Sequence, residues 1–492
     1  MQMQVSFLFN ANGLYLNNIS EINNLPEIIQ GGMGAGVSDW RLAKCVSQQG
    51  QVGVVSGTAL DSILVRRLQL GDIDGHIRRA LSCFPWPDMS QRILDEFYIP
   101  QGKSVNQPFK LLPMPQLPMK PSSVELIVAS NFVEVFLAKE GHEGLIGINY
   151  LAKIQLPTLP SLFGAILAGV DFVLMGGGLP ISIPGFLDGL TRLDEVKLNL
   201  HVEDNVQNHP YVYHFDPNAF CMGKTPNLMR PKFLAIVSSE TAAKTLMRRA
   251  TGHIDGFIVE NHTAGGHNAP PRKISGHTAS SLLEYSQKDI PDIQKIKLLG
   301  KPFWLAGGCA SPLELKNTLN LGANGIQVGT VFAYCRESGI LPEIKQEVLC
   351  RYLKGKLKVL TDFQASPTGY PFKLICIENS SRRVDPATER KRICDLGYLR
   401  HLYSIDENRV GYRCPAEPIK KFLEKGGGYD MTVGKKCLCN GLLATIGLEQ
   451  IRDGGLELPI VTSGENFSFV HHMITKSNTT YGAKDVIDYL KS

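Results

Sequence analysis

The chain has 492 residues, 43% of them hydrophobic and 20% charged, with a formal net charge of +5 at pH 7. That length exceeds a usual single domain and supplies ample apolar surface for a buried core. So small a charge, with no long basic tract, argues against nucleic acid as a partner.

Eight short apolar runs read as strands in chain order: Ile28–Gln30, Val52–Ser56, Leu145–Asn149, Phe172–Met175, Phe233–Val237, Gly256–Glu260, Phe303–Ala306 and Gly325–Val328. They are continuous rather than alternating runs, the pattern of strands covered on both faces. Helical patterns separate most of them, at Trp40–Gln49, Leu159–Leu167, Thr241–Ala250 and Pro312–Leu321. Eight strands with intervening helices predict an α/β chain folded as a (β/α)8 TIM barrel, whose active site sits at the C-terminal ends of the strands.

Two glycine-rich runs stand at such ends. NHTAGGHNAPPR follows the sixth strand and places His267 directly after the Gly265–Gly266 pair. WLAGGCASPLELKNTLNLGANGIQVGTVFA begins in the seventh strand, turns at Gly307–Gly308, and reaches Gly329–Thr330 after the eighth. Paired glycines past a strand let backbone N–H groups approach an anion with no Cβ in the way. Strand–GG–helix–strand–GT is a common way for barrels to hold a cofactor phosphate after strands seven and eight. His267 adds a proton-transfer group, since imidazole titrates near neutrality.

The set of motifs resembles the nitronate monooxygenase family (formerly 2-nitropropane dioxygenases), which shares its barrel with flavin-dependent enoyl reductases. IIQGGMGAGVS at Ile28–Ser38 is similar to the family's opening strand, and GINY at Gly147–Tyr150 to its third. AGVDFVLMGGGLP from Ala168 is similar to the fourth strand and its loop, and AGGH carries the family histidine. The resemblance covers roughly residues 25–340. It implies that Gly31, Gly32 and Met33 lie along a flavin ring, that Asn149 faces it, and that Gly307, Gly308, Gly329 and Thr330 hold its phosphate. Glu260, Gly265 and Gly266 belong to the same expected cofactor site, with His267 as the catalytic group. The expected cofactor is FMN: there is one phosphate site, and no GxGxxG follows a strand as an FAD or NAD site would require. Glu260 and His262 are expected to orient His267, although the family often has an amide at the Glu260 position.

The implied activity is oxidation of alkyl nitronates with O₂. The alternatives are an NAD(P)H-dependent enoyl-thioester reductase, with an acyl carrier or synthase as partner, and a flavin-binding subunit active only within a partner complex. The oligomeric state stays open.

Three regions exceed a minimal barrel of residues 1–340. Insertions lie at about 70–144 and 181–230, and a C-terminal extension, 341–492, is expected to be mostly helical. The first insertion holds the proline-rich PFKLLPMPQLPMKP, an extended excursion, and VELIVASNFVEVFLAKEG, expected to pack on the rim and line the substrate entrance. His201, His209 and His214 in the second read as solvated or packed side chains. In the extension, ASPTGYPFK at Ala365–Lys373 is a candidate to fold back over the barrel mouth. Cys394, Cys414, Cys437 and Cys439 could together offer four thiolates to zinc or an iron–sulfur cluster, but they lack CxxC spacing, so no metal site is expected. Cys309 reads as a packed thiol, and the scattered remaining cysteines suit a reducing compartment. The start, MQMQVSFLFNANG, has no signal-peptide pattern. The apolar stretch Ser161–Leu187 is broken by Asp171 and Gly176–Gly178, so a cytoplasmic protein without a membrane span is expected.

Overall fold

The structure is a computed structural model; it describes residues 25–206, 209–272, 284–376, 390–407, 409–452, 455–475 and 479–492. The eight expected strands all form: β1 (Ile28–Gln30), β2 (Gly53–Ser56), β3 (Ile146–Leu151), β4 (Phe172–Gly176), β5 (Lys232–Val237), β6 (Gly256–Glu260), β7 (Phe303–Ala306) and β8 (Gly325–Val328). They pair in parallel in the order β1-β8-β7-β6-β5-β4-β3-β2. The ends of that order meet through a bridge between Ile29 and Val52, where Gln30 N–H donates to Val52 O at 3.0 Å and Val52 N–H to Ile28 O at 3.1 Å. A closed (β/α)8 barrel results.

The apolar runs are explained by what each face meets. Ile29, Val54, Phe172, Leu174, Leu234, Ile258 and Trp304 turn inward and form one buried cluster that fills the barrel. Residues between them point outward against the helices and join two larger clusters. The interior is packed side chain, so chemistry is confined to the strand ends.

The first insertion corrects one expectation. VELIVASNFVEVFLAKEG forms a helix, Pro121–Lys139, but it packs against Thr158–Leu167 and Trp40–Gln48 in the outer ring. It therefore supplies the crossover between β2 and β3 and does not line the main cavity. Among the described residues it is the one helix long and apolar enough to cross a membrane, and two-thirds of its apolar window is buried here. The proline-rich stretch before it has no regular structure, as its missing N–H donors dictate. In the second insertion, Val196–Asn199 and Val212–Phe215 make an antiparallel hairpin, and Val202–Glu203 pairs with the extension at Leu402–Tyr403.

Among its described residues the extension is not mostly helical. Helices Pro342–Leu353, Leu438–Thr445 and Ala483–Leu490 are joined by antiparallel pairs, Lys358–Asp362 with Phe372–Cys376 and His401–Asp406 with Arg409–Arg413. Two-residue alternation in segments such as FKLIC is too short to show against helical neighbours. The extension does not stand apart from the barrel. Helix Ala483–Leu490 packs on Trp40–Gln48, and residues of the extension share both outer clusters with the barrel helices.

Candidate active site

A cavity of about 280 Å³ opens at the C-terminal ends of the strands. Gly31, Gly32, Met33, Asn149, Glu260, Gly265, Gly266, His267, Gly307, Gly308, Gly329 and Thr330 all line it. The structure thus brings together every residue proposed for the site. Close backbone approach explains several glycines: a Cβ on Gly32 would stand 2.4 Å from Asn149 Cβ, and one on Gly307 2.9 Å from Asn261 O. Gly307 and Gly308 also have φ of 93° and 77°, which a side chain disfavours.

The loop after β1 is fixed from below. Fully buried Gln30 accepts from Val54 N–H at 3.0 Å and donates to Ser38 Oγ at 2.8 Å. Ser38 Oγ in turn accepts from Met33 N–H at 2.9 Å and donates to Gly31 O. Asn149 Nδ2 donates to Gly32 O at 3.1 Å. Glycines that are free to move in the unfolded chain are held at one wall of the cavity.

His267 is placed by the extension. Its Nε2 lies 2.7 Å from Ser366 Oγ, and its ring meets the Phe372 ring edge-on at 4.8 Å. Lys373 N–H donates to Gly266 O at 3.0 Å, which pins Phe372 and the histidine loop together. Burial lowers the His267 imidazole to about 4, so it is neutral at physiological pH. The same desolvation raises the Glu260 carboxyl to about 8, which keeps it protonated there. The site holds a neutral base and a neutral acid.

The expected orienting role of His262 is corrected. Its ring stacks on Tyr285 at 4.3 Å and lines a separate small cavity with Asn268 and Arg272. Glu260 borders both cavities, and no hydrogen bond links it to His267. Ser366 of the ASPTGYPFK segment does the orienting. Cys309 stays a thiol, pushed up to about 11 by burial and donating to Gly307 O at 3.3 Å.

Sequence reasoning missed a whole wall of the cavity. Tyr398, Leu399, Leu438, Cys439 and Leu442 reach it from the extension, with Thr462, Ser463, Gly464 and Asn466. Only the Ser-Gly turn in VTSGEN hinted at the last group, and no local pattern marks the others. Thr263 in the histidine loop was also passed over. Of the four extension cysteines, Cys394 and Cys414 share a thiol hydrogen bond, and Cys439 faces the cavity. Among the described residues no three His, Cys, Asp or Glu side chains converge as a metal-binding group. His214 pairs with Glu195 at 2.8 Å on the surface, and His201 takes a backbone bond from Gln155.

Residues 216–375 match the family model described as nitronate monooxygenase. A probable nitronate monooxygenase of Bacillus subtilis (strain 168) is 32% identical over 114 residues, 23% of this chain and 31% of that protein. The (3aS,4S,5R,7aS)-5-hydroxy-7a-methyl-1-oxo-octahydro-1H-indene-4-carboxyl-CoA dehydrogenase of Rhodococcus jostii (strain RHA1) is 31% identical over 121 residues, 25% of this chain and 30% of that protein. The matched stretches span about a third of the length of these two relatives. The solved structure of FabK from Thermotoga maritima aligns over 96% of this chain and 94% of its own, at 14% identity and a TM-score of 0.47. Residues 216–375, which carry Glu260, His267 and the Gly307–Gly308 and Gly329–Thr330 turns, are thus the stretch over which this chain is similar to the nitronate monooxygenase family.

Proposed function

We propose that the protein is an FMN-dependent oxidoreductase that oxidises alkyl nitronates with O₂. The residues present fit the cofactor. Asn149 Oδ1, Thr263 Oγ1 and Gln327 Oε1 are buried, line the cavity and have no hydrogen-bond partner. Buried polar atoms left in that state ask for a polar ligand. At Gly329 a Cβ would meet only the Met33 side chain, Sδ at 3.4 Å and Cγ at 3.6 Å, so no clash with backbone explains the glycine there. Gly307, Gly308, Gly329 and Thr330 would hold the phosphate, and Gly31, Gly32, Met33 and Asn149 the ring. When bound, FMN would supply the acceptor for the substrate's electrons.

The observation that carries the choice is the neutral His267 held by Ser366. A neutral imidazole can take the proton next to a nitro group, or hold a nitronate oxygen through a ring N–H. Burial keeps it unprotonated over the whole neutral range, and Ser366 and Phe372 hold the ring in one orientation. The Ile154, Leu151 and Leu399 side chains give the cavity an apolar lining that would limit water at a reacting centre.

Protonated Glu260 favours a second reading. An enoyl-thioester reductase needs a proton donor for the carbon next to the carbonyl, and Glu260 is an uncharged acid in the same cavity. Apolar Leu438 and Leu442 would suit an acyl chain, with an acyl carrier or synthase as its source. The test is direct. Purified protein loaded with FMN is mixed with alkyl nitronate in air, and separately with NAD(P)H and an enoyl thioester without air. Consumption of O₂ with nitronate, and no pyridine-nucleotide oxidation, is the expected result; the reverse pattern replaces the first reading with the second. Turnover only beside a synthase would select a subunit role.

A further inference from the structure

We propose that the turn Thr462–Asn466 of the C-terminal extension is the closing wall of the phosphate cradle, with the Thr263 and Ser463 hydroxyls as donors to the phosphate. The inference rests on the flavin reading above.

No lysine or arginine lines the cavity among the described residues. A phosphate there must be held by neutral donors, so each hydroxyl and N–H counts. Thr263 Oγ1 and Ser463 Oγ are both buried without a completed hydrogen bond, and Ser463 is only 4% exposed. The Tyr334 hydroxyl interacts with the Ser463 hydroxyl, and neither oxygen reaches full hydrogen-bond geometry within the protein. Thr263 Oγ1 lies 3.4 Å from where a Cβ of Gly308 would stand, beside the glycine pair expected to take the anion.

The turn is keyed into all three loops. Gly464 N–H donates to Thr330 Oγ1 at 2.9 Å, and Asn466 Nδ2 donates to Gly308 O at 3.1 Å. Gly266 N–H donates to Thr462 Oγ1 at 2.9 Å, next to the histidine. A Cβ on Gly265 would stand 2.7 Å from Gly464 N, so the two backbones touch only because neither carries a side chain. The turn's own acid, Glu465, is drawn onto the buried Lys373 ammonium, which also donates to Thr361 Oγ1 at 2.7 Å. The carboxylate is thereby neutralised in place and does not repel an anion. A phosphate in this cradle would bind the barrel and the extension together, so docking of the extension and retention of the phosphate stabilise each other.

Riboflavin, which lacks the phosphate, separates this inference from the flavin reading. Dissociation constants for FMN and riboflavin are measured by quenching of flavin fluorescence in the wild type, Ser463→Ala and Thr263→Val. Each variant is expected to weaken FMN by roughly 10- to 100-fold, the range for one hydrogen bond to a charged group, and to leave riboflavin unchanged. Retained riboflavin binding also shows that the variant is folded. As a second readout, hydrogen exchange at residues 460–466 of the wild type should slow with FMN and not with riboflavin. Equal losses for both flavins with unchanged exchange, or no loss for either, would overturn the proposal. A wild type that binds neither flavin overturns the cofactor reading, and this inference with it.

Discussion

The two walls of the barrel mouth are built by different physics. On one side, Gly307–Gly308 and Gly329–Thr330 follow directly from strands of the parallel sheet, and Gly265–His267 lie in the short loop just after another. Their positions are set within a few residues, because the strand fixes where the turn begins. On the other side, Tyr398, Leu438, Cys439 and Ser463 arrive from a segment that first leaves the barrel and then returns. Those positions depend on docking, and the loss of one distant contact moves them. On the proposed reading the first wall would supply the reactive group and most of the anion-holding groups, and the second would add orientation, enclosure and the Ser463 hydroxyl.

Substitutions can break this comparison, and the largest effect should come from the first wall. His267→Ala should lower turnover by roughly 10²–10⁴-fold, the usual worth of a placed acid–base group, with flavin content unchanged. Steady-state rates set against the flavin absorbance of the same sample check this. Unaltered rates would remove His267 from the chemistry.

Gly329→Val comes next. The backbone there has ordinary φ and a Cβ would touch only the Met33 side chain, so the fold should survive, whereas the added side chain fills the place proposed for phosphate. FMN affinity should fall by about 10- to 100-fold, the size of an overpacking penalty, with little change in the melting temperature of the flavin-free protein.

Ser366→Ala tests the second wall's hold on the first. Losing one neutral hydrogen bond at Nε2 should lower kcat by about tenfold or less and leave flavin affinity as it was. The pH profile sharpens the point. His267 must be unprotonated to act as a base, so kcat/KM for nitroalkane should fall as pH drops toward about 4. If Glu260 is instead the donor for an enoyl substrate, activity should be lost as pH rises through about 8. One measured profile distinguishes the two acid–base assignments.

The smallest effect is expected at Glu465→Gln. It removes the charge partner of the buried Lys373 ammonium while keeping the side chain's shape. Glu465 is about half exposed, so the expected cost is about 1 kcal/mol in unfolding free energy, and chemical denaturation should read it.

The eight strands and the first wall were legible because period, length and turn residues act locally. FWLAGG announces a buried strand and the turn that ends it, and nothing elsewhere in the chain contradicts that. VELIVASNFVEVFLAKEG announced its apolarity but not its place: it became a crossover helix because β2 and β3 are parallel and need one. Ser366 was visible only as part of a turn, since its hydrogen bond joins residues 99 positions apart. Glu260 and His262 looked alike from their spacing, yet Glu260 ends the strand and borders both cavities, whereas His262 lies in the loop beyond and borders only the smaller one. Ser463 and Thr263 carried no signal beyond small size. The role proposed for them rests on lacking partners, and an unmade hydrogen bond leaves no mark on a sequence.

The bridge between β1 and β2 bears on the whole molecule. Every other neighbouring pair of barrel strands shares three or more paired positions, whereas this seam rests on Ile29 and Val52. A hoop is weakest at its join. The strap across this join is the extension: it leaves the last barrel helix, crosses the mouth, and ends with Ala483–Leu490 against Trp40–Gln48, the helix between the two seam strands. Lys491 reaches Glu27 just before β1, at 3.7 Å. Slackening the strap anywhere along its course would let the hoop breathe at its join, beside Gly31 and Gly32, so rigidity at the floor of the cavity is borrowed from the far end of the chain.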